Sequence, residues 1–264
     1  MDIEVYISKK KRLFLSTVLL VIVMIIAQAA AGIKLDWRGV IVVAFASYLL
    51  TYIALWEDVK GIELVTLFIL PVLFSISVMI SYFLLPVRWA TRIGVDLVFG
   101  VLFYACLSAE NIFNVAVIKT IQLLRVAKAI SLFLSIITYF LIVVVLFSFH
   151  REFYVDMLTV FLLSSLFSLQ NIWQVKLKEG VGKSEVLFII VIALLLAELI
   201  AILSFWPLSI FIKAIFITGV FYSLLVLIND YFEECLFRQQ IKEFCILISS
   251  LLLLIILMGK WGGG

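Results

Sequence analysis

Two charged side chains, Glu198 and Lys213, lie deep inside apolar stretches of this sequence. They flank the turn at Trp206-Pro207, and at about 1.5 Å of helix rise per residue their depths on two antiparallel helices differ by only about 3 Å. Because an unpaired charge inside a membrane is costly, we expect the two to form an ion pair. The pair could be a structural clamp or a proton- or substrate-coupling site. The alternative is that the long stem of Lys213 carries its ammonium to the outer interface.

A second set of polar residues lies between positions 110 and 128. Asn111, Asn114, Gln122 and Arg125 recur at helical spacing and are expected to share one cytoplasmic face. Such a face could line a vestibule, hold anionic lipid headgroups or seat a partner protein. The simpler interpretation is an interfacial connector whose polar side contacts water and headgroups.

No motif for catalysis, metal binding or cofactor binding stands out. The chain has a single histidine and neither a Gly-x-x-x-x-Gly-Lys loop nor a Gly-x-Gly-x-x-Gly fingerprint. Its three cysteines form no Cys-x-x-Cys pair, and an odd number argues against a disulfide framework. We therefore predict no catalytic residue, no metal and no cofactor, and a lipid-modifying enzyme is the least favoured function.

The elements that carry these residues follow from composition. The chain is 66% hydrophobic and 14% charged, against about 45–50% and about 25% in soluble domains. Apolar blocks of about 20 residues match the thickness of a bilayer core. They predict an all-α, polytopic transmembrane helix bundle with about nine spans. The spans are Leu13–Ala31, Val40–Trp56, Leu64–Leu85, Ile93–Leu107, Ala129–Phe149, Met157–Trp173, Val186–Trp206, Leu208–Ile228 and Phe244–Met258.

An acid or amide precedes every second span. Glu4, Glu63, Gln122, Glu185 and Glu243 follow one another after 59, 59, 63 and 58 residues. A constant period of this length indicates one supersecondary unit copied in tandem. Carboxylates are also favoured in the first turn of any helix. We expect both to hold: a repeated helical hairpin whose first helix keeps its N-terminal cap.

This period divides a single transmembrane domain, residues 1–261, into four parallel hairpins and a terminal helix. The hairpins are expected at about 4–58, 63–111, 122–171 and 185–229, the helix at 243–259, and residues 262–264 as a flexible end or linker scar. The second helix of three hairpins ends on an amide: Asn111, Asn171 and Asn229. The fifth copy lacks its second helix, which suggests a surface for a partner.

Positive charge predicts the orientation. With the N-terminus inside, 13 Lys and Arg residues lie on the inner side and 7 on the outer side. Because cytoplasmic loops carry the excess of Lys and Arg, we expect a multi-pass protein of the cytoplasmic (inner) membrane with its N-terminus in the cytoplasm. The small formal charge of +3 does not indicate nucleic acid as a partner.

The segment from Glu110 to Val115, followed by Ile121 to Arg125, reads Glu-Asn-Ile-Phe-Asn-Val and Ile-Gln-Leu-Leu-Arg. It resembles a signature of an uncharacterised family of small bacterial polytopic integral membrane proteins. The resemblance covers about twenty residues and implies a membrane class without an assigned activity.

Two further functions remain open beside the enzyme. The first is a non-catalytic scaffold or subunit that binds membrane lipids and assembles with itself or a partner membrane subunit. The second is a permease or lipid-translocating protein, in which Glu198 and Lys213 are the coupling pair and the three repeat-end amides surround a cytoplasmic mouth. The scarcity of buried polar groups in the sequence favours the first.

Overall fold

The computed structural model describes residues 9–31, 36–56, 63–85, 89–116, 123–149, 151–177, 180 and 182–259. These residues form nine α-helices and no strand. In chain order the helices are α1 (Lys9–Ala31), α2 (Trp37–Leu55), α3 (Glu63–Tyr82), α4 (Trp89–Ala116), α5 (Leu124–Ser148), α6 (Phe153–Lys176), α7 (Lys183–Ser204), α8 (Ile210–Phe232) and α9 (Arg238–Met258). All nine are long and apolar enough to cross a membrane. For the residues that the structure describes, the prediction of an all-α fold with nine long apolar helices is confirmed.

Several helix ends follow from local sequence. At the start of α2, Oδ1 of Asp36 accepts a hydrogen bond from the backbone N of Arg38 at 3.0 Å, as N-cap side chains do. Helix α6 is followed by the C-cap residue Leu177, which has a left-handed backbone (φ 49°) and donates its backbone N–H to the carbonyl of Trp173. Beyond α7, the ring of Pro207 disfavours helical backbone at the preceding residue.

Two helices extend six or more residues past one end of their predicted spans. Helix α4 continues nine residues past Leu107, to Ala116, because the polar side chains that mark the end of a span in the sequence, Glu110 and Asn114, are buried within it. Helix α9 begins at Arg238, five residues before Glu243. The N-terminus of α9 is capped by Gln240, whose Oε1 accepts a hydrogen bond from the backbone N of Phe237 at 3.1 Å.

Contacts divide the chain into two compact units, residues 1–134 and 135–264. In the first unit, α1 packs against α2 and α4, α2 against α3, and α3 against α4, so the four helices form a closed ring. Its core is aromatic: Phe74 of α3 stacks on Phe99 of α4 with ring centroids 5.5 Å apart. A buried polar contact joins α2 to α3, where the hydroxyl of Ser47 donates to the carbonyl of Pro71 at 3.1 Å.

In the second unit, α6 packs most extensively against α7, and α8 contacts both. The C-terminal half of α5 contributes Tyr139, whose ring stacks on Phe221 of α8 with centroids 4.0 Å apart. The tyrosine hydroxyl shares a 2.9 Å hydrogen bond with Ser164 of α6. Helix α9 packs on α8, and Ile255 is the one side chain that α9 buries within the described part of the chain.

Candidate functional site

Glu198 and Lys213, predicted to pair, are not brought together. Glu198 is exposed on α7 and has no hydrogen-bond or ion-pair partner among the residues that the structure describes. The ammonium of Lys213 lies over the ring of Phe147, 5.3 Å from its centroid. The reason is the rotation of the two helices. Glu198 lies opposite the face of α7 that packs on α6 and α8, whereas Lys213 lies on the same face of α8 as the buried Ile217.

The predicted polar face between 110 and 128 is divided between two helices. Asn111 and Asn114 lie near the end of α4 and Arg125 near the start of α5, while Gln122 lies outside the described residues. Asn111 is half-buried and Arg125 is exposed. Asn114 is 2% exposed, and its Nδ2 donates to the carbonyl of Leu55 at 3.5 Å. The side chain of Asn114 therefore links α4 to α2 and does not face water.

The three repeat-end amides lie near the C-terminal ends of α4, α6 and α8. Asn171 is buried, and Asn111 and Asn229 are half-buried. The side-chain oxygens of Asn171 and Asn229 have no hydrogen-bond partner among the described residues. The second unit therefore has unsatisfied amide oxygens near the ends of α6 and α8, where ordered water could bind.

Sequence reasoning missed a set of buried polar side chains within the helices. Asp96 of α4 is 8% exposed and Asp156 of α6 is 3% exposed, and Nε2 of Gln28 on α1 donates to Oδ1 of Asp96 at 3.1 Å. One turn before Asp96, the guanidinium of Arg92 lies over the ring of Tyr82, 5.5 Å from its centroid. The i, i+4 spacing of Arg92 and Asp96 was the signal that could have indicated an interacting pair.

Glu185 and Lys176 together connect three helices of the second unit. One carboxylate oxygen accepts from the backbone N of Gly182 at 2.6 Å, which caps α7, and the other forms an ion pair with Lys176 of α6. The Lys176 ammonium also lies over the ring of Phe232 on α8, 4.2 Å from its centroid. Glu185 thus has the capping role expected of the recurring acid. Glu243 does not, since it accepts from Gln239 within the helix at 3.0 Å.

A cleft between α8 and α9 is lined by polar and apolar side chains. Its polar lining consists of Tyr222, Ser223, Asp230, Gln240 and Glu243. The cleft volume of about 110 Å³ is small beside the about 300–1,000 Å³ of typical ligand pockets. Within the described ranges, no three His, Cys, Asp or Glu side chains converge as metal ligands. The cleft suits water and small polar groups.

Comparison with known proteins places the chain in a family. No curated protein and no solved structure is significantly similar to it. One family profile, described as "Protein of unknown function (DUF5656)", matches residues 13–258. The match runs from the first turns of α1 to the end of α9 and confirms the expected membership of an uncharacterised family. The chain therefore belongs to the DUF5656 family of proteins of unknown function.

Proposed function

We propose that this protein is a multi-pass protein of the cytoplasmic membrane that acts, without catalysis, as a subunit or scaffold of a membrane assembly. Its outward surfaces support the membrane location. Large apolar side chains stand exposed on every helix, among them Val101 of α4 (71%), Phe211 of α8 (63%) and Leu257 of α9 (73%). Soluble monomers rarely expose contiguous apolar patches beyond a few hundred Å², whereas lipid chains cover such a surface.

The proposed orientation places the N-terminus and the connection between α8 and α9 in the cytoplasm. It rests on the excess of Lys and Arg on that side, 13 against 7. Anionic lipid headgroups on the cytoplasmic leaflet attract such residues. Membrane lipids are accordingly the first partners that we propose.

The observation that carries the assembly role is the packing of α9. In the other eight helices, between 33% and 61% of the apolar stretch is buried, but in α9 only 6% is. On the side away from the buried Ile255, α9 exposes Ile246, Leu253 and Leu257 with Ser249 and Ser250 between them. Small residues at the centre of an apolar face let a second helix approach closely. We propose that a membrane-spanning helix of a partner subunit packs there.

A bulky substitution tests this contact. Tryptophan in place of Ser250 should block the approach of a partner helix, so the complex extracted in mild detergent should lose the subunit that packs on α9. Native mass spectrometry would measure the change. The matched control is Val101→Trp, because Val101 is exposed on α4 and lipid can accommodate the larger ring.

The assembly role would be refuted if the unsubstituted chain already migrates as a 30.0 kDa particle with lipid alone. Equal effects of Ser250→Trp and Val101→Trp would refute the role of α9. The permease alternative receives no support from the geometry, because the ion pair on which coupling was based is not formed.

A further inference from the structure

The outward face of α7 presents a regular seam that the described residues of its own unit leave uncovered. Six residues follow a strict alternation of four and three positions: Leu187, Val191, Leu194, Glu198, Ala201 and Phe205. Five of the six are exposed and Ala201 is half-buried. The opposite face of α7, which includes Ile192, Leu196 and Ile200, is buried. The exposed seam therefore has the 3.5-residue period by which two helices pack along a left-handed crossing.

Glu198 is the polar position of this seam. It lies 15 residues after the start of α7 and 6 before its end, so in a membrane its carboxyl lies about 9 Å inside the helix end. Among the described Asp, Glu, Lys, Arg and His residues, it is the one exposed side chain more than five residues from both ends of its helix. A carboxyl facing lipid chains there has no hydrogen-bonding partner and is strongly disfavoured.

We propose that a second copy of this chain covers the seam, so that α7 packs against α7 of its partner across a two-fold axis. This inference rests on the proposed function and names the partner for one face. In such an isologous contact each seam residue meets its own copy, and Glu198 of one copy meets Glu198 of the other. With a proton carried by at least one of the two carboxyls, an O–H···O hydrogen bond forms between them and removes the unsatisfied groups from lipid.

The periodic seam favours a second copy over an unrelated basic helix. A single polar residue in an otherwise apolar heptad seam sets register and oligomeric state in paired helices, because any shift leaves the polar group against an apolar one. The ammonium of Lys213 lies over Phe147 on an inward face of α8. It therefore offers no counter-charge on this surface.

Disulfide trapping in membranes tests the seam with two valines of matched exposure. Val191, on the seam, is 45% exposed, and Val186, about 140° around the helix from it, is 44% exposed. In a full-length chain with Cys106→Ala, Cys235→Ser and Cys245→Ser, we expect oxidation to give a covalent dimer of Val191→Cys. The yield should be at least about tenfold higher than that of Val186→Cys. Equal yields, or none from either variant, would overturn the proposal.

Substitution of Glu198 separates its role from that of the apolar seam. In the Val191→Cys chain, Glu198→Ala should lower the dimer yield about three- to tenfold, the range expected for a polar contact between membrane helices. Glu198→Gln, which still donates and accepts hydrogen bonds, should keep the yield near that of the unsubstituted chain. If both variants crosslink like the parent, the carboxyl plays no part and the proposal is wrong.

A basic partner helix would give a different pattern. In that case neither Glu198→Ala nor Glu198→Gln would form the complex with the basic partner, and Val191→Cys would form no crosslink between two copies of the chain. That result overturns the two-fold contact but leaves the assembly role intact, whereas a chain that is monomeric throughout overturns both.

Discussion

Nε2 of Gln28 donates a hydrogen bond to Oδ1 of Asp96 across 3.1 Å, although the two residues are 68 positions apart. Both side chains are buried, and the bond joins the first and last helices of the four-helix ring, α1 and α4. A buried carboxyl oxygen without a partner is costly in apolar surroundings. The pair therefore explains how a polar residue can be accommodated inside each of these two helices.

Removing the side-chain amide of Gln28 should destabilise the four-helix ring of the first unit. We expect Gln28→Ala to lower the free energy of unfolding by about 1–3 kcal/mol, because it leaves the Asp96 oxygen buried without its donor. Unfolding in detergent micelles, followed by circular dichroism, would measure the loss. The control is Ser16→Ala, a small change at another buried position of α1. Strictly additive effects of Gln28→Ala and Asp96→Ala in the double variant would contradict the coupling.

Tyr139 should stabilise the second unit mainly through its ring. Tyr139→Phe keeps the stack on Phe221 and loses only the hydroxyl bond to Ser164, so we expect a loss of about 0.5–1.5 kcal/mol. Phe221→Ala removes the stacked ring from the core and should cost about 3–5 kcal/mol. Thermal unfolding of the purified chain would rank the two. A larger effect of Tyr139→Phe would mean that the hydrogen bond, and not the stack, dominates.

Glu185 should act both as a cap and as an ion-pair partner. Glu185→Gln keeps an oxygen for the backbone N–H of Gly182 but loses the charge that pairs with Lys176. Glu185→Ala loses both and should cost about 1–2 kcal/mol, at least twice the effect of the glutamine. Hydrogen exchange at the start of α7 would report the cap directly. Lys183→Ala, an exposed neighbour, is the control, and equal exchange in the Ala and Gln variants would exclude a capping role.

Cys235 offers a direct test of the proposed orientation. It is exposed between α8 and α9, so a membrane-impermeant thiol reagent should fail to label it in intact cells and label it once they are permeabilised. Cys245→Ser removes the other exposed thiol. In a Cys235→Ser, Cys245→Ser chain, Glu152→Cys between α5 and α6 should show the reverse behaviour, with labelling in intact cells. If Cys235 is labelled in intact cells and Glu152→Cys is not, the N-terminus lies outside.

The hairpin repeat stays a prediction, and burial supports part of it. An offset of 118 residues aligns Phe103 with Phe221 and Leu107 with Leu225, and all four side chains are 0% exposed. The recurring acid is only partly described, since Glu4 and Gln122 lie outside the described residues. Where described, it differs between copies: Glu185 caps α7, while Glu243 lies in the second turn of α9.

Helix existence was predictable because the free energy of placing about twenty apolar residues in lipid depends on local composition. The ends of the helices were harder to predict than their existence. The predicted fourth span ended at Leu107, before the polar Glu110 and Asn114, whereas helix α4 continues to Ala116 and both side chains are buried. Burial of a polar group depends on hydrogen bonds and neighbours supplied by other segments, and hydropathy does not register those.

The sequence by itself determined the number, type and approximate length of the helices, and it predicted a similar depth for Glu198 and Lys213. Depth follows from residue count, because every residue adds the same rise. Only the tertiary structure decided which way each side chain faces. The packing of α7 on α6 and α8 turns Glu198 outward, and the packing of α8 turns Lys213 toward Phe147. Rotation about a helix axis is set by side-chain packing between distant segments, and for that reason a pair that matched in depth is separated in space.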